Sequence, residues 1–147
     1  TTACKVFETA DAVENGADEI DMVINIGWAK EKEFDLIKEE IKAIKKACGE
    51  KILKVIIETC LLSDEEKKEL CKIVTEAGAD FIKTSTGYGT RGVSLEDIDT
   101  INKYKEEFLE IKASGGIKDL DLVDALLERG VTRLGMSNID CLKGSKE

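Results

Sequence analysis

Glu76-Ala77-Gly78-Ala79-Asp80-Phe81-Ile82-Lys83-Thr84-Ser85-Thr86-Gly87 ends a helix, makes a strand and opens a loop within 12 residues. Gly78 is the natural left-handed residue just past a helix C-terminus. Phe81 to Ser85 is short, mostly apolar and bounded by small residues, as a buried parallel strand is. The same junction recurs at Glu14-Asn15-Gly16-Ala17-Asp18 and at Glu128-Arg129-Gly130-Val131-Thr132, so one βα unit is being repeated. Working outward, strands are predicted over residues 19–26, 52–59, 81–85, 109–114 and 133–136, with helices near 3–15, 30–48, 64–77, 95–107 and 119–129. Two helix starts carry Ser-x-x-acid capping signals, at Ser63 to Glu66 and Ser94 to Asp97. The order is α(βα)₄β with room for a short helical tail. It forms one α/β domain over residues 1–147, whose parallel sheet is either doubly wound or curled into part of a (β/α)₈ barrel.

Composition narrows the partners. Lys plus Arg number 22 against 31 Asp plus Glu, a net charge of −9, so no nucleic acid and no anionic membrane is expected as a partner. An anionic ligand must be bound by a local cluster. No stretch carries a signal-peptide pattern or is long and apolar enough to span a bilayer, and a cytoplasmic location is the expectation. The five cysteines (Cys4, Cys48, Cys60, Cys71, Cys141) include no CxxC pair and read as reduced core thiols. Histidine is absent, which removes the commonest metal ligand and the commonest general base together. No metal and no cofactor is expected.

Polar residues in the strands decide between the two architectures. Alternate positions put Phe81, Lys83 and Ser85 on one face, Lys112 and Ser114 on the equivalent face of the fourth strand, and Asp21, Val23 and Asn25 on that of the first. Charges in the middle of buried strands are costly. Either Asp21 and the lysines form a buried ion-pair network, or they are an active site at the C-terminal ends of barrel strands. The loops favour the second reading. Lys83 leads into Thr84-Ser85-Thr86-Gly87, Lys112 into Ala113-Ser114-Gly115-Gly116, and the last strand into Gly135-Met136-Ser137-Asn138. Small loops of this kind let backbone N–H groups approach a phosphate.

A pair of lysines suggests a mechanism. At pH 7 only about one free lysine amine in 2,500 is neutral, but a second ammonium within about 4–6 Å and partial burial disfavour the charged form. A shift of three units needs roughly 4 kcal/mol. Lys112 can supply much of it, leaving Lys83 to attack a carbonyl and form an iminium, an electron sink for making or breaking the adjacent carbon–carbon bond. With no histidine present, Asp21 is the candidate for moving protons, directly or through a water.

The segments Asn15 to Gly27, Leu53 to Leu62, Gly78 to Gly87 and Ile111 to Ile117 together resemble the 2-deoxyribose-5-phosphate aldolase family, in an order and spacing that run through nearly the whole chain. The resemblance implies a partial TIM (β/α)₈ barrel with five parallel strands and flanking helices, roughly the first three strands being absent. Thr1 to Phe7 resembles the helix after the third strand. It implies reversible addition of acetaldehyde to glyceraldehyde 3-phosphate, with Lys83 forming the Schiff base, Lys112 tuning it and Asp21 relaying protons. It also implies a phosphate site at Gly87, Gly115, Gly116, Gly135 and Ser137. Where family members often have a second serine, this chain has Asn138. At Tyr88 it has an aromatic where some have lysine, leaving more of the anion binding to backbone groups.

Five strands leave two sheet edges unpaired, and a homo-oligomer that covers them is expected. The alternative is a non-catalytic phosphate-binding or assembly subunit of the same fold. Gly87 to Gly92 also matches GxGxxG. In a dinucleotide fingerprint, however, the helix begins within the glycines and an acid ends the next strand. Here the helix signal begins at Ser94 and the strand ends with Lys112-Ala113-Ser114, which disfavours nucleotide binding. Glu39 to Lys46 reads as a solvated helix face, and Trp28 as packing on the rim or on a partner. Lys54 and Glu58 read as joining the charge network or pairing with each other.

Overall fold

Gly16, Gly78 and Gly130 take φ of +97°, +78° and +77°, ending helices where the repeated junction predicts. The computed structural model describes residues 1–140; Cys141 and the expected helical tail lie outside them. The elements are α1 (Thr2–Glu14), β1 (Glu19–Val23), α2 (Ile26–Lys30), α3 (Phe34–Cys48), β2 (Ile52–Ile56), α4 (Asp64–Glu76), β3 (Phe81–Lys83), α5 (Leu95–Tyr104), β4 (Glu110–Ser114), α6 (Leu120–Glu128) and β5 (Arg133–Gly135), with a 3₁₀ turn over Thr59–Leu61. All four strand pairings are parallel, in the order β1-β2-β3-β4-β5.

The strands are shorter than expected because their last residues leave the sheet. After β1, the Asn25 side chain accepts a hydrogen bond from Trp28 N at 3.2 Å. That N-cap starts α2, a helix the sequence pattern does not predict. Lys32 at φ +61° breaks it from α3. Both predicted capping boxes form, at Ser63/Glu66 and Ser94/Asp97.

Strand alternation sorts the side chains into two layers. Leu53, Val55, Ile82, Ile111 and Ala113 point outward and are fully buried against Ile37, Ile41, Ile44, Leu70, Val74, Ile98, Ile101 and Leu126 of the helices. Each large side chain buried in this way stabilises the fold by about 1.5–3 kcal/mol. Glu40 departs from the expected solvated face. It is buried at 2 % exposure, pairs with Lys5 at 2.8 Å and accepts from Thr2 Oγ1 at 3.0 Å, because α1 packs over α3 there. Cys48 and Cys71 are buried, whereas Cys4 is exposed on α1, so the core-thiol expectation fails for it. Burial pushes the Cys71 thiol up to about 12.

The other sheet face is polar, and it shows that the sheet is rolled. Arg133 of β5 is bonded to Glu19 of β1, although these strands are the two edges. Four strand spacings of about 4.8 Å would separate them by about 19 Å in a flat sheet. Arg133 also lies over the Phe81 ring, 5.1 Å from its centroid. The sheet therefore curves as a barrel wall does, with five strands rather than the eight of a closed barrel.

Below the loop after β3, Asp97 is a buried hub at 1 % exposure. It accepts from Arg91 Nη1 and Nη2 at 2.5 and 3.1 Å, from Lys67 Nζ at 3.1 Å and from Thr59 Oγ1 at 2.9 Å. Removing one partner of such a network leaves buried donors uncompensated. Asp97→Ala is expected to lower the unfolding free energy by about 3 kcal/mol, measured by urea denaturation; a change below about 1 kcal/mol would show the hub to be dispensable.

Candidate active site

Asp21 is where the inward-facing charges converge. Its Oδ2 lies 2.5 Å from Lys83 Nζ and 3.2 Å from Lys112 Nζ, and its Oδ1 lies 2.8 Å from Lys54 Nζ. Lys54 also pairs with Glu19 at 2.7 Å. The register explains the meeting: Asp21 is level with Lys54, and Lys83 with Lys112, and the roll of the sheet brings these rows together. The ion-pair network is thus present, and the three candidate catalytic residues all belong to it. Lys54 joins it; Glu58 turns away and bonds Thr86 instead.

The electrostatics follow from that packing. Burial opposes ionisation of Asp21, but hydrogen bonds from Lys54 and Lys83 and the fields of Lys83 and Lys112 outweigh it, holding the carboxyl well below the usual carboxylate range. Lys112 is pushed down, first by burial and then by Lys83 and Lys54, against the pull of Asp21. Sharing one oxygen keeps the Lys83 and Lys112 nitrogens within about 6 Å of each other, close enough for each ammonium to feel the other's charge.

Buried hydroxyls hold the two lysine strands in step. Thr84 Oγ1 accepts from Ser114 N at 3.1 Å and donates to Ser114 O at 3.3 Å, Ser85 Oγ donates to Thr84 Oγ1 at 3.1 Å, and Ser114 Oγ donates to Ser85 O at 2.6 Å. Beyond them the loops frame a cavity of about 490 Å³ lined by Lys83, Lys112 and all five expected phosphate residues, Gly87, Gly115, Gly116, Gly135 and Ser137. Close approach requires two of the glycines here. A Cβ on Gly92 would sit 1.9 Å from Gly115 O, and one on Gly135 would sit 2.8 Å from Ser114 Cβ. Asn138 is not in the lining; its Oδ1 accepts from Asp140 N at 2.7 Å.

Residues 1–135 match the family described as DeoC/LacD family aldolase. The chain belongs to that family. It is 55 % identical over 139 residues to a deoxyribose-phosphate aldolase of Clostridioides difficile (strain 630), covering 95 % of this chain and 64 % of that one. Among solved structures it is similar to QR15, an aldolase, with 42 % identity and a TM-score of 0.87 over 92 % of this chain and 61 % of that chain. It is also similar to the tetrameric deoxyribose phosphate aldolase of Aeropyrum pernix, with 26 % identity and a TM-score of 0.80 over 93 % of this chain and 58 % of that chain. The chain thus spans less than two thirds of the length of these relatives.

Within this aldolase-family site, the sequence reading missed Lys118 and Thr86, both in the cavity wall, and the spacing role of Gly92. Lys118 follows Gly116-Ile117, and a cation next to a glycine pair was a signal available in the sequence. It adds a cation to the cavity lining, in which Tyr88, 97 % exposed, also lies.

Asp21 and Asp97 give the fold an acid limit. Both carboxyls are held below their ordinary value, so the native state keeps them ionised where the unfolded chain would protonate them. Their stabilisation is complete above about pH 4, the unfolded carboxyl value, and is lost as pH falls through the folded values. The urea midpoint is expected to be flat from pH 7 to 5, as far as these two groups contribute, and to fall steadily below 4. The fall should be shallower in Asp97→Asn; an equal slope in both proteins would remove Asp97 as a cause.

Proposed function

We propose that the site performs class I aldol chemistry on a small phosphorylated sugar, reversibly joining acetaldehyde and glyceraldehyde 3-phosphate to give 2-deoxyribose 5-phosphate. The observation that carries this reading is Asp21 Oδ2 shared between the ammonium groups of Lys83 and Lys112 at the floor of a glycine-walled cavity. The deoxyribose-phosphate aldolases to which the chain is similar support it. Lys83 is the nucleophile, and Lys112 is the neighbour whose burial and charge favour a neutral amine in the pair. In the sugar-cleaving direction, Lys83 attacks the open-chain aldehyde, the carbinolamine loses water, and the iminium draws the electrons of the carbon–carbon bond one atom away.

Asp21 carries out the proton transfers. With three lysines around it, its carboxylate is a poor base; once one ammonium gives up its proton the cationic field falls and its basicity rises. Gly87, Gly115, Gly116, Gly135 and Ser137 hold the phosphate with backbone and hydroxyl groups, and Lys118 supplies a cation. Asp21 sits on β1, which has a ladder partner on one side only, so its side of the site faces the sheet edge. A second copy of this chain covering that edge, in a homo-oligomer, fits this openness. The tetrameric state of the Aeropyrum pernix enzyme supports such an assembly.

Incubation with acetaldehyde followed by borohydride reduction is expected to place an ethyl adduct on Lys83, located by peptide mass spectrometry. Lys83→Arg should abolish it, and Lys112→Met should slow it by roughly 100-fold. A folded protein that acquires no adduct would sink the aldolase reading and leave an inert phosphate-binding subunit. Light scattering on the same sample should report a mass above the 16.2 kDa of one chain; a monomer that still labels would show that the edge needs no cover.

A further inference from the structure

Glu58 is held in a conformation that only a specific contact can repay. Among the described residues its φ of +55° is one of two positive values at non-glycine residues, the other being Lys32 between α2 and α3. A glycine would adopt this geometry freely, whereas an L-residue does so at a cost. On either side of it the backbone is bonded to the end of β3, Ile57 N donating to Lys83 O at 3.0 Å and Thr59 N to Thr84 O at 2.9 Å. The left-handed residue between these bonds throws its side chain forward along β3. At 5 % exposure, the carboxylate accepts from Thr86 N at 3.3 Å on both oxygens and from Thr86 Oγ1 in a shorter bond. Thr86 Oγ1 in turn accepts from Tyr88 N at 3.1 Å. The Glu58 carboxylate also fills the space beside Gly89, where an added Cβ would lie 3.0 Å from Glu58 Oε1.

We propose that Glu58 is a positioning residue for anion binding, acting through Thr86 to hold the Thr86-Gly87-Tyr88 turn in the shape that presents its backbone to the phosphate. The proposal rests on the phosphate reading of the cavity. Glu58 does not line the cavity; Thr86, Gly87 and Tyr88 do. A carboxylate beside an anion site repels the anion, so its presence needs the geometric benefit described. All of its acceptor capacity seen here is used on the turn and on the Cys60 thiol, 3.8 Å away.

The test separates the carboxylate from the backbone. Glu58→Gly removes the side chain while relieving the left-handed geometry, Glu58→Ala removes it and keeps the strain, and Glu58→Gln retains an acceptor for Thr86. Affinity for inorganic phosphate, followed by NMR titration of backbone amides, is expected to fall roughly tenfold in the Gly and Ala variants and by a smaller factor in Gln. Amide exchange at Thr86 and Tyr88 should quicken in the same order. Labelling of Lys83 by acetaldehyde, which needs no phosphate, should slow by a smaller factor than phosphate affinity falls. Phosphate affinity within twofold of the parent in Glu58→Gly, or an equal fall in both readouts, would overturn the proposal. Failure of the parent protein to bind phosphate would overturn the cradle and this role together, whereas acetaldehyde labelling would still report on Lys83 separately.

Discussion

One carboxylate shared by three ammonium groups is the constraint around which the rest of the structure is arranged. Lys54, Lys83 and Lys112 come from three successive strands, and no arrangement of them on one polar face is tolerable without an anion between them. Asp21 supplies that anion only because the sheet is rolled. The same roll carries Arg133 across to Glu19. Two carboxylates on β1 thereby face four cations from β2 to β5, and the cluster keeps a surplus of positive charge inside a chain whose net charge is −9. This local reversal of sign is what an anionic ligand needs, since the long-range field of the protein repels it.

Stability and reactivity draw on the same groups here. Asp21 is kept ionised by its lysines, and Lys112 is kept short of its ordinary basicity by burial and by Lys83. Losing one proton from the cluster relaxes both. The charged cluster is therefore held together by Asp21 while burial and its neighbours lower the basicity of Lys112. The glycine approaches and buried hydroxyls serve that cluster at the next level. Gly92 against Gly115 and Thr84 against Ser114 fix the spacing of the loops, so that the lysines and the backbone groups of the cavity are held relative to one another without a flexible side chain between them.

Much of this was legible in the sequence because it depends on local periodicity. Strand alternation alone put Asp21, Lys83 and Lys112 on equivalent faces, and the repeated Gly junctions marked the helix ends. The five expected phosphate residues came from the family resemblance, and all of them line one cavity. What was missed depends on contacts between distant segments. Glu40 looks solvated within its own helix and is buried only because α1 crosses α3. Lys54 and Glu58 sit four residues apart, an even spacing that suggested a shared face; the left-handed turn at Glu58 sends its carboxylate to Thr86 instead. α2 was hidden because its cap, Asn25, lies in a run that reads as strand. The pairing of Glu19 with Arg133 could not be read at all without knowing that the sheet rolls.

The two halves of the site have different strand neighbours, and the strand order explains why. The anion side lies among β3, β4 and β5, where each lysine strand has neighbours on both sides and the loop ends are tied by buried hydroxyls. The carbonyl side includes Asp21 on β1, an edge strand whose outer flank carries the Lys5 ammonium on Val23 O at 2.8 Å and a groove of about 390 Å³ against α1. In the proposed mechanism the iminium forms with loss of water and is hydrolysed when water adds back, so the rate at which water reaches Lys83 would bear on chemistry and not on fold alone. Three lysines share Asp21, and under the proposed mechanism the cover over β1 would govern how long an intermediate on Lys83 survives.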